Sequence, residues 1–336
     1  MDYNVFKLGD VTLQSGAILP DAFLAYKTYG TLNADKSNVI LYPTAFGDQH
    51  RDNEWLIGEG MALDPEHYFI IVPNLLGNGL SSSPSNTPAP YDRDNFPQVT
   101  ISDNVRFQHR LLTARYGITK LALVTGWSLG AVQVYAWAAG YPDMVERIAP
   151  FAGTAKVWPH THVFLEGVKA PLHAVLRTGG LEGERATTAL RAVGRVYAGW
   201  GFSQSFYRES GYTQWGSETM EAFLTDFWER SFTAHDPYNL LAMLWTGQHA
   251  DISDNATYNG DFELALRSIT AQAVVMPGST DLYFTAEDIE YEASLIPHAV
   301  CRPIASVWGH LAGRGLNPED NRFIDEQLGQ LLAASV

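Results

Sequence analysis

A serine between two glycines is the residue of this chain best placed to do chemistry. Residues 126–130 read Gly-Trp-Ser-Leu-Gly, and they stand between the apolar residues 121–124 and the helix-like residues 131–139. A Gly-x-Ser-x-Gly sequence between a strand and a helix is typical of a sharp turn that holds a nucleophilic serine above the end of a sheet. The glycines fit because backbone segments pass close together there. The pattern predicts Ser128 as a nucleophile, with a glycine-rich turn that merely contains a serine as the alternative.

His310 and Asp281 are the predicted partners of Ser128. A serine hydroxyl needs a base to accept its proton and a third group to orient that base. His310 lies in a glycine-flanked loop after the last strand-like segment, and Asp281 ends the turn 277–281 after another strand-like segment. Such loops collect catalytic side chains in open α/β folds. The alternatives are that Asp281 only caps its turn and that His310 is an ordinary loop histidine.

Two backbone N–H groups are predicted to bind the oxyanion that develops during acyl transfer. One belongs to Leu129, the residue after the nucleophile. The other is expected in residues 43–47, after an early strand, and is assigned to Ala45, with Thr44 and Phe46 as alternatives. Only a backbone N–H is needed, so the side chains of this loop do not decide between them.

A substrate pocket is predicted from bulky side chains beside the nucleophile and in the middle of the chain. Its predicted walls, besides Ala45 and Leu129, are Phe46, Trp127, Leu311, Trp200, Phe206 and Trp245. The aromatic residues of the middle segment would serve equally well as helical core. No metal site is predicted, because His160 and His162 do not share a helix face and no set of Glu or Cys residues stands at ligand spacing near them.

The elements that must position these residues alternate between strands and helices. Residues 5–8, 11–13 and 23–29 predict antiparallel strands at a sheet edge. Continuous apolar runs predict strands that are buried on both faces at residues 39–42 and 69–72. Further strands are predicted at residues 121–125, 145–151, 273–276 and 300–304. Helices are predicted at 101–116, after the Ser128 turn, and at 318–334. This order predicts an α/β fold with a mostly parallel central sheet flanked by helices.

The alternation lapses in the middle of the chain. Residues 155–265 are rich in aromatic residues and helix-like segments. We predict that they form a helical lid inserted between two parts of one α/β core, residues 1–154 and 266–336.

Composition argues against several classes of function. The chain has 336 residues, of which 46% are hydrophobic and 18% charged, enough for a large core. A formal charge of −15 disfavours nucleic acid and anionic membranes as partners. No apolar run reaches the roughly 18 residues of a membrane span, and no signal peptide is evident. Cys301 is the only cysteine, so an intramolecular disulfide is impossible. A cytoplasmic location is expected.

The chain resembles the homoserine O-acetyltransferase family of α/β-hydrolase enzymes over most of its length. The resemblance is carried by residues 43–47, 126–138, 277–281 and 308–310, and by the lid residues 227–241. It implies the α/β-hydrolase fold with its chain order of serine, acid and histidine. It also implies an acyl-enzyme at Ser128, with His310 as base and then acid, and a helical lid that often forms a homodimer contact.

Two departures from that family bear on the substrate. Leu311 stands where true homoserine acetyltransferases commonly carry an acidic residue, and Trp127 replaces a glycine of their serine turn. Both changes disfavour a charged amino-acid acceptor, so we expect a hydrolase of small, acetyl-type esters that needs no cofactor. One alternative is an O-acyltransferase that passes the acyl group of acetyl-CoA, as co-substrate, to homoserine or another alcohol. The other is a non-catalytic binding protein on the same fold.

Overall fold

Strands fill the centre of the molecule. The computed structural model describes residues 2–334, and within them eight strands are found: β1 (Asn4–Thr12), β2 (Ile18–Tyr29), β3 (Val39–Leu41), β4 (Phe69–Pro73), β5 (Leu123–Trp127), β6 (Arg147–Phe151), β7 (Gln272–Val275) and β8 (Ala299–Cys301). They form one sheet in the order β1-β2-β4-β3-β5-β6-β7-β8. Strands β3 to β8 run parallel, whereas β1 and β2 are antiparallel to each other and β2 to β4. The predicted fold class is confirmed.

Burial differs between the parallel strands and the antiparallel edge of the sheet. Every residue of β3, β4 and β6 is buried, as expected for parallel strands covered by helices on both faces. β1 at the edge is mostly exposed, and only Leu8 and Val11 are buried. β5 continues to Trp127, beyond the predicted end, because Trp127 still pairs with Phe151 of β6. β8 is shorter than predicted and is followed by a single parallel bridge between Gly278 and Ile304.

Helices flank the sheet. The core helices are α1 (Ile101–Arg110), α2 (Leu129–Gly140), α10 (Ala286–Leu295) and α11 (Pro318–Ala333). α1 begins at Thr100, whose hydroxyl accepts from the Asp103 N–H, and continues as a π-helical turn over Leu111–Arg115. α2 is buried on nearly its whole surface because it lies between the sheet and α1.

Between β6 and β7 the chain forms further helices where the sequence predicts the lid. They are α3 (Pro159–Leu176), α4 (Gly183–Gly201), α5 (Gln204–Arg208), α6 (Met220–Phe223), α7 (Arg230–Thr233), α8 (Pro237–Gln248) and α9 (Phe262–Arg267). A π-helical segment, Leu224–Glu229, joins α6 to α7. Aromatic side chains such as Phe202 and Phe206 pack these helices together, with ring centroids 4.0 Å apart. Among residues 2–334, no helix is long and apolar enough to cross a membrane.

Candidate active site

Ser128 occupies the turn between β5 and α2. Its backbone has φ 54° and ψ −123°, a conformation that costs a non-glycine residue energy and that persists only where its surroundings enforce it. A Cβ at Gly126 would lie 2.7 Å from the backbone of Gly130, and one at Gly130 would lie 2.7 Å from the Pro43 carbonyl oxygen. Both glycines are therefore required by close backbone packing, which supports the strained turn.

The structure brings Ser128, His310 and Asp281 together. His310 Nδ1 lies 2.8 Å from Asp281 Oδ2, and His310 Nε2 lies 2.8 Å from Ser128 Oγ. An ionised carboxylate only accepts hydrogen bonds, so Nδ1 carries the ring proton and Nε2 is free to accept from the serine hydroxyl. All three side chains are buried, which strengthens these interactions. The arrangement is that of a serine nucleophile with an oriented base.

Local hydrogen bonds hold the acid and the base in place. The other oxygen of Asp281 accepts from the backbone N–H groups of Tyr283, at 2.7 Å, and Phe284, at 3.1 Å. The alternative that Asp281 caps its turn is thus also true, and the same carboxylate serves both purposes. Gly309, before His310, has φ +60°, and a Cβ there would lie 2.8 Å from Ser203 N of the lid. Only glycine allows the histidine loop to pass so close to the lid.

The candidate oxyanion donors differ in whether their backbone N–H already donates a hydrogen bond. Thr44 N donates to the Pro73 carbonyl at 3.2 Å, so the Thr44 N–H is not available. The N–H groups of Ala45 and Leu129 donate no hydrogen bond within residues 2–334. Both residues are buried: Ala45 is 3% exposed and Leu129 is 4% exposed. Buried and unpaired donors are what an oxyanion site requires.

A cavity of about 210 Å³ lies between the core and the lid above His310. Its aromatic lining consists of Phe46, Trp127, Tyr197, Phe227, Trp228 and Phe232, and Leu311 is among its aliphatic residues. Phe46 stacks parallel to Tyr197 at 6.2 Å. A Cβ at Gly201 would lie 2.9 Å from Leu311 Cδ2, so Leu311 packs directly against the end of α4. The cavity is small and mainly apolar.

Of the predicted pocket residues, Ala45 and Leu129 do not line this cavity, and three aromatic residues of the lid lie elsewhere, which corrects the sequence prediction. Trp200 stacks on Phe164 at 4.6 Å, Phe206 is buried in the aromatic core of the lid, and Trp245 stacks on His249 at 4.2 Å. None of the three lines the cavity that the structure describes beside His310. Helical spacing shows that one face of a helix is apolar, but only the packing of the lid decides which residues of that face meet the site.

Sequence reasoning missed the charged residues of the cavity wall. The Arg314 guanidinium pairs with the buried Asp48 carboxylate and lies 3.5 Å from Asp52 Oδ1. Its Cζ also lies 5.2 Å from the ring centre of Trp127. Burial raises the pKa of Asp48 to about 7, while Arg314 opposes that shift. The guanidinium is thus turned toward protein carboxylates, and it is not free to bind a substrate carboxylate.

His235 is another titratable residue that lines the cavity. Burial lowers its pKa, and the nearby Arg314 lowers it further, so the ring is neutral around pH 7. His235 packs next to Gly47, at 3.5 Å from the position of a Cβ there. With Arg314 paired and His235 neutral, these two lining residues offer a substrate no unpaired charge.

Known proteins resemble this chain over nearly its whole length. Residues 38–312 match the family model described as alpha/beta hydrolase fold. An ethyl acetate hydrolase from Pseudomonas veronii is 39% identical over 99% of this chain and 96% of its own. The crystal structure of an acetylester hydrolase from Corynebacterium glutamicum superposes with a TM-score of 0.95 at 38% identity, covering 99% of this chain and 96% of that one. A homoserine O-acetyltransferase from Chlorobium chlorochromatii is 31% identical over 94% of this chain and 92% of its own.

Proposed function

The chain belongs to the alpha/beta hydrolase fold family, and we propose that it is an acetyl ester hydrolase that forms an acyl-enzyme at Ser128. The observation that carries the proposal is the pair of hydrogen bonds, each 2.8 Å long, that joins Ser128 Oγ to His310 and His310 to Asp281, next to a small cavity that His310 lines. Relatives named for the hydrolysis of acetyl esters share 38–39% of its residues.

The proposed reaction uses groups of this chain throughout. As Ser128 Oγ attacks the ester carbonyl, His310 Nε2 takes the hydroxyl proton and Asp281 stabilises the resulting imidazolium. The N–H groups of Ala45 and Leu129 bind the oxyanion of the tetrahedral intermediate. His310 then gives its proton to the departing alcohol, which leaves the acyl group on Ser128. A water molecule attacks this acyl-enzyme in the same way, and the acid is released. These steps need no cofactor.

The cavity favours small, uncharged esters. Its volume of about 210 Å³ lies below the 300–1,000 Å³ of pockets that hold drug-sized ligands. Leu311 contributes an apolar surface beside His310, where a homoserine ammonium would need a carboxylate. An acetyl group with a short alcohol suits this volume and this lining.

An O-acyltransferase is the second candidate, favoured by the 31% identity to a homoserine O-acetyltransferase. It would share the first half of the reaction and would differ in that an alcohol, instead of water, attacks the acyl-enzyme. Acetyl-CoA would then be the acyl donor. The Leu311 side chain argues against homoserine as the acceptor.

Release of p-nitrophenol from p-nitrophenyl acetate, with and without homoserine, tests both candidates. We expect turnover by the wild type, no effect of homoserine, and a loss of at least about 10³-fold for Ser128→Ala, because the nucleophile is removed. Faster turnover with formation of O-acetylhomoserine would favour the transferase. Equal activity of Ser128→Ala, or no turnover by the wild type on any short ester, would contradict the proposal, and the second result would leave a binding protein.

A further inference from the structure

A chain of buried side-chain hydrogen bonds runs from Trp137 of α2 through Gln108 of α1 to Gln133 of α2, and it ends at the loop that carries Ala45. Trp137 Nε1 donates to Gln108 Oε1 at 2.8 Å, and Gln108 Nε2 donates to Gln133 Oε1 at 2.6 Å. Gln133 Nε2 then donates to two backbone carbonyls, that of Thr44 at 3.0 Å and that of Leu129 at 3.2 Å. Gln108, Gln133 and Trp137 are all fully buried.

The direction of this chain follows from its first member. An indole nitrogen only donates, so the Gln108 atom that faces Trp137 must be its carbonyl oxygen. The Gln108 amide nitrogen therefore faces Gln133, which must present its own oxygen there. Gln133 is left with its NH₂ group toward the two carbonyls, and both of its hydrogens have an acceptor. The orientation of each amide is set by the network.

The two carbonyls that Gln133 holds adjoin the two predicted oxyanion donors. The Thr44 carbonyl belongs to the same peptide group as the Ala45 N–H, and in a trans peptide these two bonds point in opposite directions. A carboxamide that binds the Thr44 oxygen thus turns the Ala45 N–H away from Gln133. The Leu129 carbonyl lies in the first turn of α2, next to the second donor.

Thr44 is held from two further directions. Its N–H donates to the Pro73 carbonyl at 3.2 Å, and its hydroxyl oxygen accepts from the Leu75 N–H at 3.0 Å. With the Gln133 bond, the N–H, the hydroxyl and the carbonyl of Thr44 are all hydrogen-bonded. Without Gln133, Thr44 would keep its first two bonds, but the peptide between Thr44 and Ala45 would lose the one that orients its plane.

We infer that Gln133 is a positioning residue that fixes the Thr44–Ala45 peptide against the first turn of α2, so that both oxyanion donors converge on one point. This inference rests on the proposed function. Because the donors must lie in place before the charge develops, a loss of orientation weakens binding of the transition state more than binding of the ester.

Gln133→Met tests the inference, since methionine has similar length and cannot donate. On p-nitrophenyl acetate, we expect kcat to fall about 10- to 100-fold while KM changes less than about threefold. The inhibition constant of a trifluoromethyl ketone, which adds to the serine and mimics the oxyanion, should rise by about the factor by which kcat/KM falls.

Tyr258→Phe is the matched control. The Tyr258 hydroxyl donates to the Ala139 carbonyl at 2.6 Å, so this variant also removes a buried hydrogen bond to α2, but at its opposite end. Its melting temperature should fall, while kcat and the inhibition constant should stay within about twofold of the wild type. A general loosening of α2 would lower activity in both variants, whereas the inferred role affects only Gln133→Met.

A Gln108→Met variant replaces Gln133→Met as the test if Gln133→Met does not fold. It leaves both donors of Gln133 in place and removes their anchor, so a smaller loss of about three- to tenfold in kcat is expected, with a parallel change in the inhibition constant. A folded Gln133→Met with wild-type kcat and inhibition, or an unchanged Gln108→Met where the first variant is unfolded, would overturn the inference. Full activity of Ser128→Ala would instead refute the proposed function.

Discussion

At the scale of single residues, Trp127 contacts His310 twice. Its indole Nε1 donates to the His310 carbonyl at 3.0 Å, and its ring centre lies 5.1 Å from that of His310. A Cβ at Gly313 would lie 2.3 Å from Trp127 Cδ1, so the histidine loop packs directly on the indole. The residue before the nucleophile therefore helps to place the base.

Trp127→Phe should lower kcat on p-nitrophenyl acetate by about three- to tenfold. The ring is retained, but the hydrogen bond to the His310 carbonyl is lost, and such bonds contribute about 0.5–1.5 kcal/mol. Steady-state kinetics at pH 8 would measure the change, with Trp245→Phe as the control, because Trp245 lies outside the cavity. Wild-type kcat for Trp127→Phe would show that the hydrogen bond does not position the histidine.

At the scale of elements, the segment directly after β6 packs against the turn that carries Ser128. A Cβ at Gly153 would lie 2.4 Å from Ala131 Cβ and 2.7 Å from the Ser128 carbonyl oxygen. Those distances are shorter than van der Waals contact, so a larger residue must displace the beginning of α2.

Gly153→Ala should therefore lower both stability, by about 1–3 kcal/mol, and kcat, because overpacking at this contact moves Ser128. Gly140→Ala is the control: no atom lies within 4 Å of a Cβ there, and alanine favours a helix by about 0.5–1 kcal/mol over glycine. Urea unfolding and ester hydrolysis would be measured for both. Equal stability of the two variants would contradict the packing argument.

Glu292 of α10 forms hydrogen bonds with the segment that connects β6 to the lid. Its carboxyl accepts from Thr154 Oγ1 at 2.5 Å, from the Ala155 N–H at 2.8 Å and from Trp158 Nε1 at 2.9 Å. Burial raises its pKa from 4.5 to about 7 in spite of these three donors. The folded protein thus binds this proton more tightly than the unfolded chain does.

Glu292 should make the protein less stable as the pH rises from about 4.5 through 7, by about 3 kcal/mol in all, and the change should level off by about pH 8. Glu292→Gln removes this titration. Urea unfolding curves at pH 5, 6, 7 and 8 would measure the unfolding free energy of both proteins. As the pH rises, the unfolding free energy of the wild type should fall relative to that of the variant. A constant difference would show that the pKa is not raised.

At the scale of the whole molecule, the cavity exists only because the lid lies over the core. Tyr197, Phe227, Trp228 and Phe232 come from the lid, whereas Trp127 is the last residue of β5 and His310 lies in the segment after β8. The size limit on the substrate is thus a property of the assembled chain. A homodimer through the lid and a cytoplasmic location stay predictions.

Phe232→Val should widen the cavity and relax the preference for short acyl groups. The ratio of kcat/KM for p-nitrophenyl butyrate to that for the acetate should rise about tenfold, since one or two methylene groups in such a pocket are worth 1–3 kcal/mol. Trp245→Phe, outside the cavity, should leave the ratio unchanged. A ratio that rises in neither variant would show that Phe232 does not limit acyl length.

The amino-acid sequence by itself determined what depends on local pattern. The glycines around Ser128, the apolar runs of the parallel strands, and the chain order of Ser128, Asp281 and His310 are all local features, because each reports a turn, a strand or a loop a few residues long. The fold class and the family resemblance followed from them and are confirmed.

Only the tertiary structure decided which distant residues meet. Trp200, Phe206 and Trp245 have the same apolar character as Phe227 and Phe232, yet only the latter two line the cavity. Arg314 reaches Asp48, and Gln133 reaches Thr44, across separations of the chain that no pattern of neighbouring residues records. Apolar periodicity requires that a face be buried, but the packing of one element on another chooses what it is buried against.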